Sequence, residues 1–325
     1  MLLLHDREVA SLITMGEAVH AVEEAFRDLA LGRAQMPAKV YLDFPQHSGD
    51  LRVMPAAIGD HFAGVKLVNS HPANPAKGLP TVVGTYILFS QETGLPLCLM
   101  GATVLTGMRT GAGSAVATKY LARRGRKTIG LIGAGIQALY QVEALDCVMD
   151  FEQVSVWGPS NDIGRRNSFI EKARKTLPEV KWNAADSIEE AAAADVVCTT
   201  TPSRSPIVKA SAVQAGTHIN AVGADGPGKQ ELDPELLRKA VIVVDDMHQA
   251  SGGGEVNVAL SSGQLLESDI AGTLPDLITG KISGRTSPDQ ITVFDSTGLA
   301  IQDIALAPIA YARAIEEGLG TEIDL

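Results

Sequence analysis

The stretch Lys127–Gln141, KTIGLIGAGIQALYQ, decides how this chain is read. An apolar run (Ile129, Leu131, Ile132) leads into Gly133-Ala134-Gly135 and then into a helical pattern from Ile136, with Ala138 where a dinucleotide-binding turn carries Gly or Ala. Gly133 permits the tight turn, Gly135 lets the backbone approach a pyrophosphate, and the open N–H groups of the helix start face that anion. A G-x-G-x-x-A match alone is a weak signal, and the strand before it and helix after it are the context it requires. The competing reading is a glycine turn of any parallel α/β protein.

Downstream, short β-like runs alternate with helical ones. Thr128–Ile132, Gln153–Trp157, Val196–Thr200, His218–Val222, Val241–Val244 and Ile291–Phe294 are candidate parallel strands, so the fold class is α/β with a Rossmann-type doubly wound parallel sheet. Ligands of such sheets gather beyond the carboxyl ends of the strands, where Thr199–Ser203, Gly223-Ala224-Asp225 and Asp295–Gly298 supply polar groups. The loop Ser251–Gly254 (SGGG) and the stretch Gly280–Pro288 are expected to be mobile surface.

Upstream, the pattern differs. Thr14-Met15-Gly16-Glu17 is a capping box opening an amphipathic helix that stops at Gly32. Val40–Phe44, Leu51–Met54, Val65–Asn69, Thr81–Ser90 and Leu95–Met100 read as strands, the last two joined as a hairpin through Gln91-Glu92-Thr93-Gly94. From Thr103 the pattern becomes helical and small-residue-rich (Thr110–Leu121), and Arg109 is expected to precede the helix that leads into the glycine turn. The last helix, Ala300–Glu317, follows the final strand and is expected to return to this N-terminal α+β part.

The 325 residues suffice for two cores. A net charge of −11 opposes nucleic-acid and anionic-membrane partners, which call for a basic surface. Cys98, Cys147 and Cys198 lie apart in apolar stretches and read as reduced core residues, with no metal expected. The N-terminus becomes charged too early for a signal peptide, and no apolar run spans a membrane, so a cytoplasmic protein is expected.

Six blocks in order, Leu51–Pro55 (LRVMP), Val65–Pro80, Met108–Leu121, Gly130–Ala138, His218–Asp233 and Phe294–Asp303, make the chain resemble the ornithine cyclodeaminase/mu-crystallin family from end to end, and within it the archaeal-type alanine dehydrogenases. The resemblance implies a nicotinamide-dependent oxidoreductase acting on the Cα–N bond of a small amino or imino acid. Oxidative deamination of L-alanine comes first. A cyclic ketimine (pyrroline-2-carboxylate) reductase or an ornithine cyclodeaminase is the alternative, and a non-enzymatic mu-crystallin-like binder is a third reading. It implies a homodimer formed through the N-terminal domain, with a substrate and dimerisation domain over 1–112 and 300–325 and a dinucleotide domain over 113–299.

By that resemblance Asp225 is the acid/base and Lys66 the substrate-binding lysine that polarises a carbonyl, while Arg52, Lys39 and Arg109 contact the substrate carboxylate. The bland readings are a helix-capping Asp225, a snorkelling Lys66 and a salt-bridged Arg109. Arg52 stands where cyclodeaminases carry a glutamate, and a cation there repels a distal ammonium. His71 is as readily a loop organiser as a substrate contact. The glycine turn, the strand ends and the resemblance together imply an expected cofactor set of Thr81, Arg109, Thr110, Gly133, Gly135, Ile136, Gln137, Ser160, Asn161, Arg165, Thr199, Val222, Gly223, Lys229 and Ser296. The second strand ends Trp157-Gly158-Pro159-Ser160-Asn161 without an acid at its tip, although Asp162 is close, and this leans the cofactor from NAD(H) toward NADP(H).

Overall fold

A computed structural model describes residues 1–159 and 163–324. It contains two compact units, Met1–Arg109 with Leu299–Leu325, and Thr110–Gly298.

The first unit holds β1 (Leu2–Leu4), α1 (Asp6–Leu12), α2 (Met15–Ala30), β2 (Ala34–Gln35), β3 (Val40–Phe44), β4 (Gly49–Ile58), β5 (Phe62–Ser70), β6 (Val82–Ser90), β7 (Pro96–Gly101), α11 (Ala300–Glu317) and β18 (Thr321–Glu322). Its sheet runs β18-β1-β7-β6-β5-β4-β2, with β3 also paired to β4. The four central strands are antiparallel, and the turn after β6 closes the expected hairpin. Alternation along β4, β5 and β6 puts Arg52, Met54 and Ala56, then Gly64, Lys66 and Val68, then Gly84, Tyr86 and Leu88 on one buried face, which α11 covers. The capping box forms: the Thr14 hydroxyl accepts from Glu17 N at 3.3 Å, and the Glu17 carboxylate accepts from Thr14 N at 2.9 Å. Arg313 of α11 donates to Glu17 and to Leu12 O, fastening that helix to α1 and α2.

Helix α3 (Thr103–Leu121) starts at Thr103, where the helical pattern begins, and not after Arg109. Its first N–H groups, Thr103 and Val104, donate to Asp6 Oδ1 at 2.9 and 3.0 Å. A cap delivered from the other end of the unit leaves no local signature. Arg109 and Thr110 therefore lie inside the helix and do not begin it.

In the second unit, β8 (Thr128–Ile132), β9 (Gln153–Trp157), β10 (Lys181–Ala184), β11 (Val196–Thr199), β13 (His218–Ala221), β15 (Ala240–Val244), β16 (Ile270–Thr273) and β17 (Ile291–Asp295) form a parallel sheet in the order β10-β9-β8-β11-β13-β17-β15-β16. The expected strands form its middle. The edge strands β10 and β16 escape a hydrophobic reading because each has only part of its length buried. A separate parallel pair, β12 (Arg204–Val208) with β14 (Gln230–Leu232), was also unexpected. Helices α4 (Ile136–Asp146), α5 (Ile163–Thr176), α6 (Ile188–Ala192), α7 (Pro234–Lys239), α8 (Met247–Gly253), α9 (Asn257–Ser261) and α10 (Leu274–Ile278) complete the unit. Asp233 caps α7 by accepting from Glu235 N at 2.9 Å.

Three expectations need correction. Ser251-Gly252-Gly253 ends helix α8, and Gly253 and Gly254 are buried. A Cβ on Gly254 would meet Asp295 Oδ2 at 2.5 Å, and one on Gly253 would meet Gly226 Cα at 3.1 Å, so these glycines serve close packing. The Gly280–Pro288 loop is clamped by Arg285, whose Nε donates to Leu121 O at 2.8 Å and whose Nη2 donates to Thr292 Oγ1 at 3.0 Å. Cys147 is an exposed residue at the end of α4, off the buried face set by Ala138, Val142 and Leu145, whereas Cys98 and Cys198 are buried.

Candidate functional site

In the first unit, Lys66 lies on β5 between β4 and β6, which rules out the edge-strand snorkel. Its side chain is 0% exposed and Nζ donates to Asp303 Oδ1 at 2.9 Å. Arg109 Nε donates to the same oxygen at 3.1 Å, and Arg109 Nη1 to Gln302 Oε1 at 2.9 Å. One carboxylate thus faces two cations. Burial pulls the Lys66 ammonium down to about 7, the charges of Arg109 and Lys39 add to the drop, and Asp303 opposes it. Lys39 is half-buried and close enough for its charge to reach Lys66. Arg52 is buried on the same face, bonded to Asp50 through Nε at 3.0 Å and Nη2 at 3.1 Å, with its guanidinium 5.6 Å from the Tyr41 ring centre. The Tyr86 hydroxyl is buried without a hydrogen-bond partner among the described residues, beside Gly64, where a Cβ would overlap it at 2.1 Å.

Two residues of this cluster were given no role from sequence, Gln302 and Asp303. They open α11, where Gln302 Oε1 also accepts from Leu299 N at 2.8 Å. A signal was available: a lysine in an otherwise apolar central strand demands a carboxylate, and Asp303 lies in the first turn of α11. Thr81 is exposed and its carbonyl accepts from His71 N at 2.8 Å. The His71 ring stacks near Phe44 at 6.0 Å and fills the space beside Gly49, a loop-organising position.

In the second unit, Gly133 has φ +115°, and a Cβ there would meet Thr200 Oγ1 at 2.6 Å. Gly135 is the N-cap of α4 with no side-chain cap, and a Cβ on it would meet nothing within 4 Å. Ile136 stands 70% exposed at the first helical position, while Ala138 is buried under the turn. Open N–H groups with clear space before them suit a pyrophosphate. Gln137 is half-buried beside them. Thr110 is buried within α3, Arg165 is exposed on α5, and Ser160, Asn161 and Asp162 lie outside the described residues.

Asp225 sits half-buried on the loop after β13, in an ion pair with Lys229 Nζ. Val222 N donates to Thr199 O at 3.0 Å, and Ser296 N to Ala221 O at 3.0 Å, so the ends of β11, β13 and β17 are tied together. The Ser296 hydroxyl is buried without a hydrogen-bond partner among the described residues. The Thr199 hydroxyl donates to Glu231 at 2.6 Å. Each unit thus carries one chemical grouping, a cation cluster in the first and a glycine turn with the Asp225 loop in the second.

Such a pairing of groupings on this topology defines a dinucleotide-binding oxidoreductase class. The chain belongs to the ornithine cyclodeaminase/mu-crystallin family, whose model matches residues 1–318. It is 52% identical over 322 residues to the alanine dehydrogenase of Archaeoglobus fulgidus, covering 99% of this chain and 98% of that one. Among solved structures, an archaeal alanine dehydrogenase dimer with bound NAD superposes with a TM-score of 0.95 at 51% identity, covering 100% of this chain and 99% of that one. The delta(1)-pyrroline-2-carboxylate reductase of Thermococcus litoralis, in complex with NADH and L-proline, gives a TM-score of 0.95 at 37% identity, covering 99% of this chain and 100% of that one.

Proposed function

We propose that this protein is a nicotinamide-dependent oxidoreductase that interconverts L-alanine and pyruvate. L-Alanine, water and the oxidised dinucleotide give pyruvate, ammonium, the reduced dinucleotide and a proton. The observation that carries the reading is the buried cluster in which Lys66 and Arg109 share Asp303: it is built with cationic excess, so an α-carboxylate completes its charge balance. Lys39 adds its charge to that cluster, and Arg52, although paired with Asp50, stands in place of an acid and disfavours a distal ammonium. The likeness to the A. fulgidus alanine dehydrogenase supports the short substrate.

The residues of the glycine turn fit a dinucleotide: Gly133, Gly135, Ile136 and Gln137 would hold the pyrophosphate, and Thr199, Val222, Gly223, Lys229 and Ser296 border the strand ends where the rest of it would lie. Bound there, the dinucleotide supplies hydride acceptance and donation. Lys66, with Arg109, Arg52 and Lys39, holds the carboxylate, and Lys66 polarises the neighbouring carbonyl. Asp225 accepts a proton when water adds to the iminium carbon and returns it to the departing nitrogen. Domain roles follow: 1–112 with 300–325 for substrate and dimerisation, 113–299 for the dinucleotide.

Trp157, Gly158 and Pro159 put no carboxylate at the tip of β9, and Arg165 follows, which supports acceptance of a 2′-phosphate; the solved relatives hold NAD or NADH, which supports the unphosphorylated form. Titration with NADH and NADPH decides between them. A homodimer through the first unit is supported by the half-buried apolar row Val53, Val65, Leu67, Ile87 and Leu99 on its sheet, and light scattering tests it. Among the described residues no helix is long and apolar enough to cross a membrane. A cytoplasmic location is proposed on the chain's composition and is tested by cell fractionation.

The deciding assay follows nicotinamide absorbance against alanine, pyruvate with ammonium, pyrroline-2-carboxylate and ornithine. Strong turnover on pyrroline-2-carboxylate with none on pyruvate would replace the reading by the ketimine reductase, which the likeness to the T. litoralis protein favours. Dinucleotide binding with no turnover on any of them would favour the non-enzymatic binder.

A further inference from the structure

The second unit holds two fully buried glutamates whose bonds converge on the loops around Asp225. Glu231 is the middle residue of β14 and is 0% exposed. Its carboxylate accepts from Thr199 Oγ1 at 2.6 Å, Thr201 N and Thr201 Oγ1 both at 2.7 Å, and Gly223 N at 2.8 Å. These donors come from the ends of two adjacent strands, β11 and β13, so one side chain sets the spacing of both loops. Gly223 is small because of it: a Cβ there would lie 2.5 Å from Glu231 Oε2 and 2.1 Å from Thr201 O.

Glu231 is itself held from behind. Glu255 Oε1 accepts from Glu231 N at 2.8 Å and from Leu232 N at 2.7 Å. Two residues on, Asn257 Oδ1 accepts from Gly228 N at 3.0 Å and its Nδ2 donates to Lys229 O at 2.8 Å, fixing the far end of the Asp225 loop. Between them Val256 N donates to Asp295 Oδ2 at 3.1 Å, which ties the segment to the end of β17. The GGGEVN segment is thus a buckle under the Asp225 loop.

We infer that Glu231 is a positioning residue: with Glu255 and Asn257 behind it, it fixes the register of the Thr199–Thr201 and Gly223–Lys229 loops, and through them the placement of Asp225 and of the dinucleotide. This rests on the roles proposed above for those loops. Four charge-assisted bonds from two loops are more than the stability of β14 requires, since among the described residues that short strand pairs with β12 alone. Burial raises the proton affinity of both carboxyls, and Glu255, beside Glu231 and Asp295, is held well above the usual carboxylate range. Glu231, with its four donors, is the one that takes the negative charge.

The test is the Glu231→Gln variant of the full chain, with Glu255→Gln beside it. The amide keeps the shape of the side chain but turns an N–H₂ toward two of the four donors. We expect the Kd for NADH, measured without substrate, to rise about tenfold and kcat to fall about 100-fold, with the pyruvate KM unchanged. Glu255→Gln keeps an acceptor toward Glu231 N and Leu232 N, and a loss of about threefold is expected. A Glu231→Gln protein that binds NADH and turns over like the wild type overturns the inference. So does one whose only change is a smaller active fraction with NADH Kd and KM intact, which is what damage to the fold alone would give. Should the wild type not turn over alanine or pyruvate, the proposed function fails, while the ratio of NADH affinities still decides the role of Glu231.

Discussion

Lys66 gives the sharpest quantitative consequence of this fold. Its ammonium is pulled from 10.5 to about 7 in the folded chain, chiefly by burial. Between those two values the unfolded chain binds a proton at this residue that the folded chain does not. Stability therefore rises with pH across the window from about 7 to 10.5, by about 1.4 kcal/mol per pH unit, and the contribution is complete above 10.5 and lost as pH falls toward about 7. The perturbation is Lys66→Met, which fills a similar volume and removes the titration. Urea unfolding followed by circular dichroism at roughly pH 8 and pH 9.5 should show the wild type gaining about 2 kcal/mol over the variant, in the transition that the substitution itself moves. An independent check is the titration of the lysine side-chain resonance that disappears in Lys66→Met. Parallel stability profiles for the two proteins, or a resonance midpoint near that of an exposed lysine, would refute the reasoning.

The same proton links to binding. An arriving carboxylate favours the ammonium, so the Kd for pyruvate should rise toward tenfold per pH unit above about 7, and a flat pH profile in calorimetry would count against Lys66 as its holder. Asp303→Asn leaves two buried cations without their shared carboxylate; it should destabilise the first unit by about 3 kcal/mol or more in urea, with much of that recovered in Lys66→Met/Asp303→Asn. Asp225→Asn should abolish turnover and leave NADH affinity within a few-fold by fluorescence titration; loss of both together would speak against acid/base work. Gly133→Ala forces a side chain into φ +115° and onto Thr200 Oγ1, and should weaken NADH binding at least tenfold in the same titration.

How much of this is legible in the sequence follows the range of the interactions. The glycine turn, the Thr14 capping box, the hairpin at Gln91–Gly94 and the middle strands of the parallel sheet are written in windows of five to fifteen residues, where periodicity and turn chemistry act. The burial of the Lys66 stem is also legible, because its neighbours in VKLVN are apolar, whereas the complete enclosure of its ammonium is not. Its family, too, was in the sequence, as six blocks in a fixed order.

What tertiary structure alone decided is who stands opposite whom. Asp303 is 237 residues from Lys66, and Asp6 caps a helix that begins 97 residues later. Glu231 sits only eight residues from Gly223, yet its bond to that amide depends on β11 bringing Thr199 and Thr201 to the same point. The SGGG stretch was misread for the same reason: glycine in sequence is the mark of freedom and of close approach alike, and only the atoms of Asp295 and Gly226 tell the two apart. Local backbone and patterning energies are encoded along the chain, whereas the pairing of buried charges is encoded in the fold, since a carboxylate finds its cation by packing and not by position in the sequence.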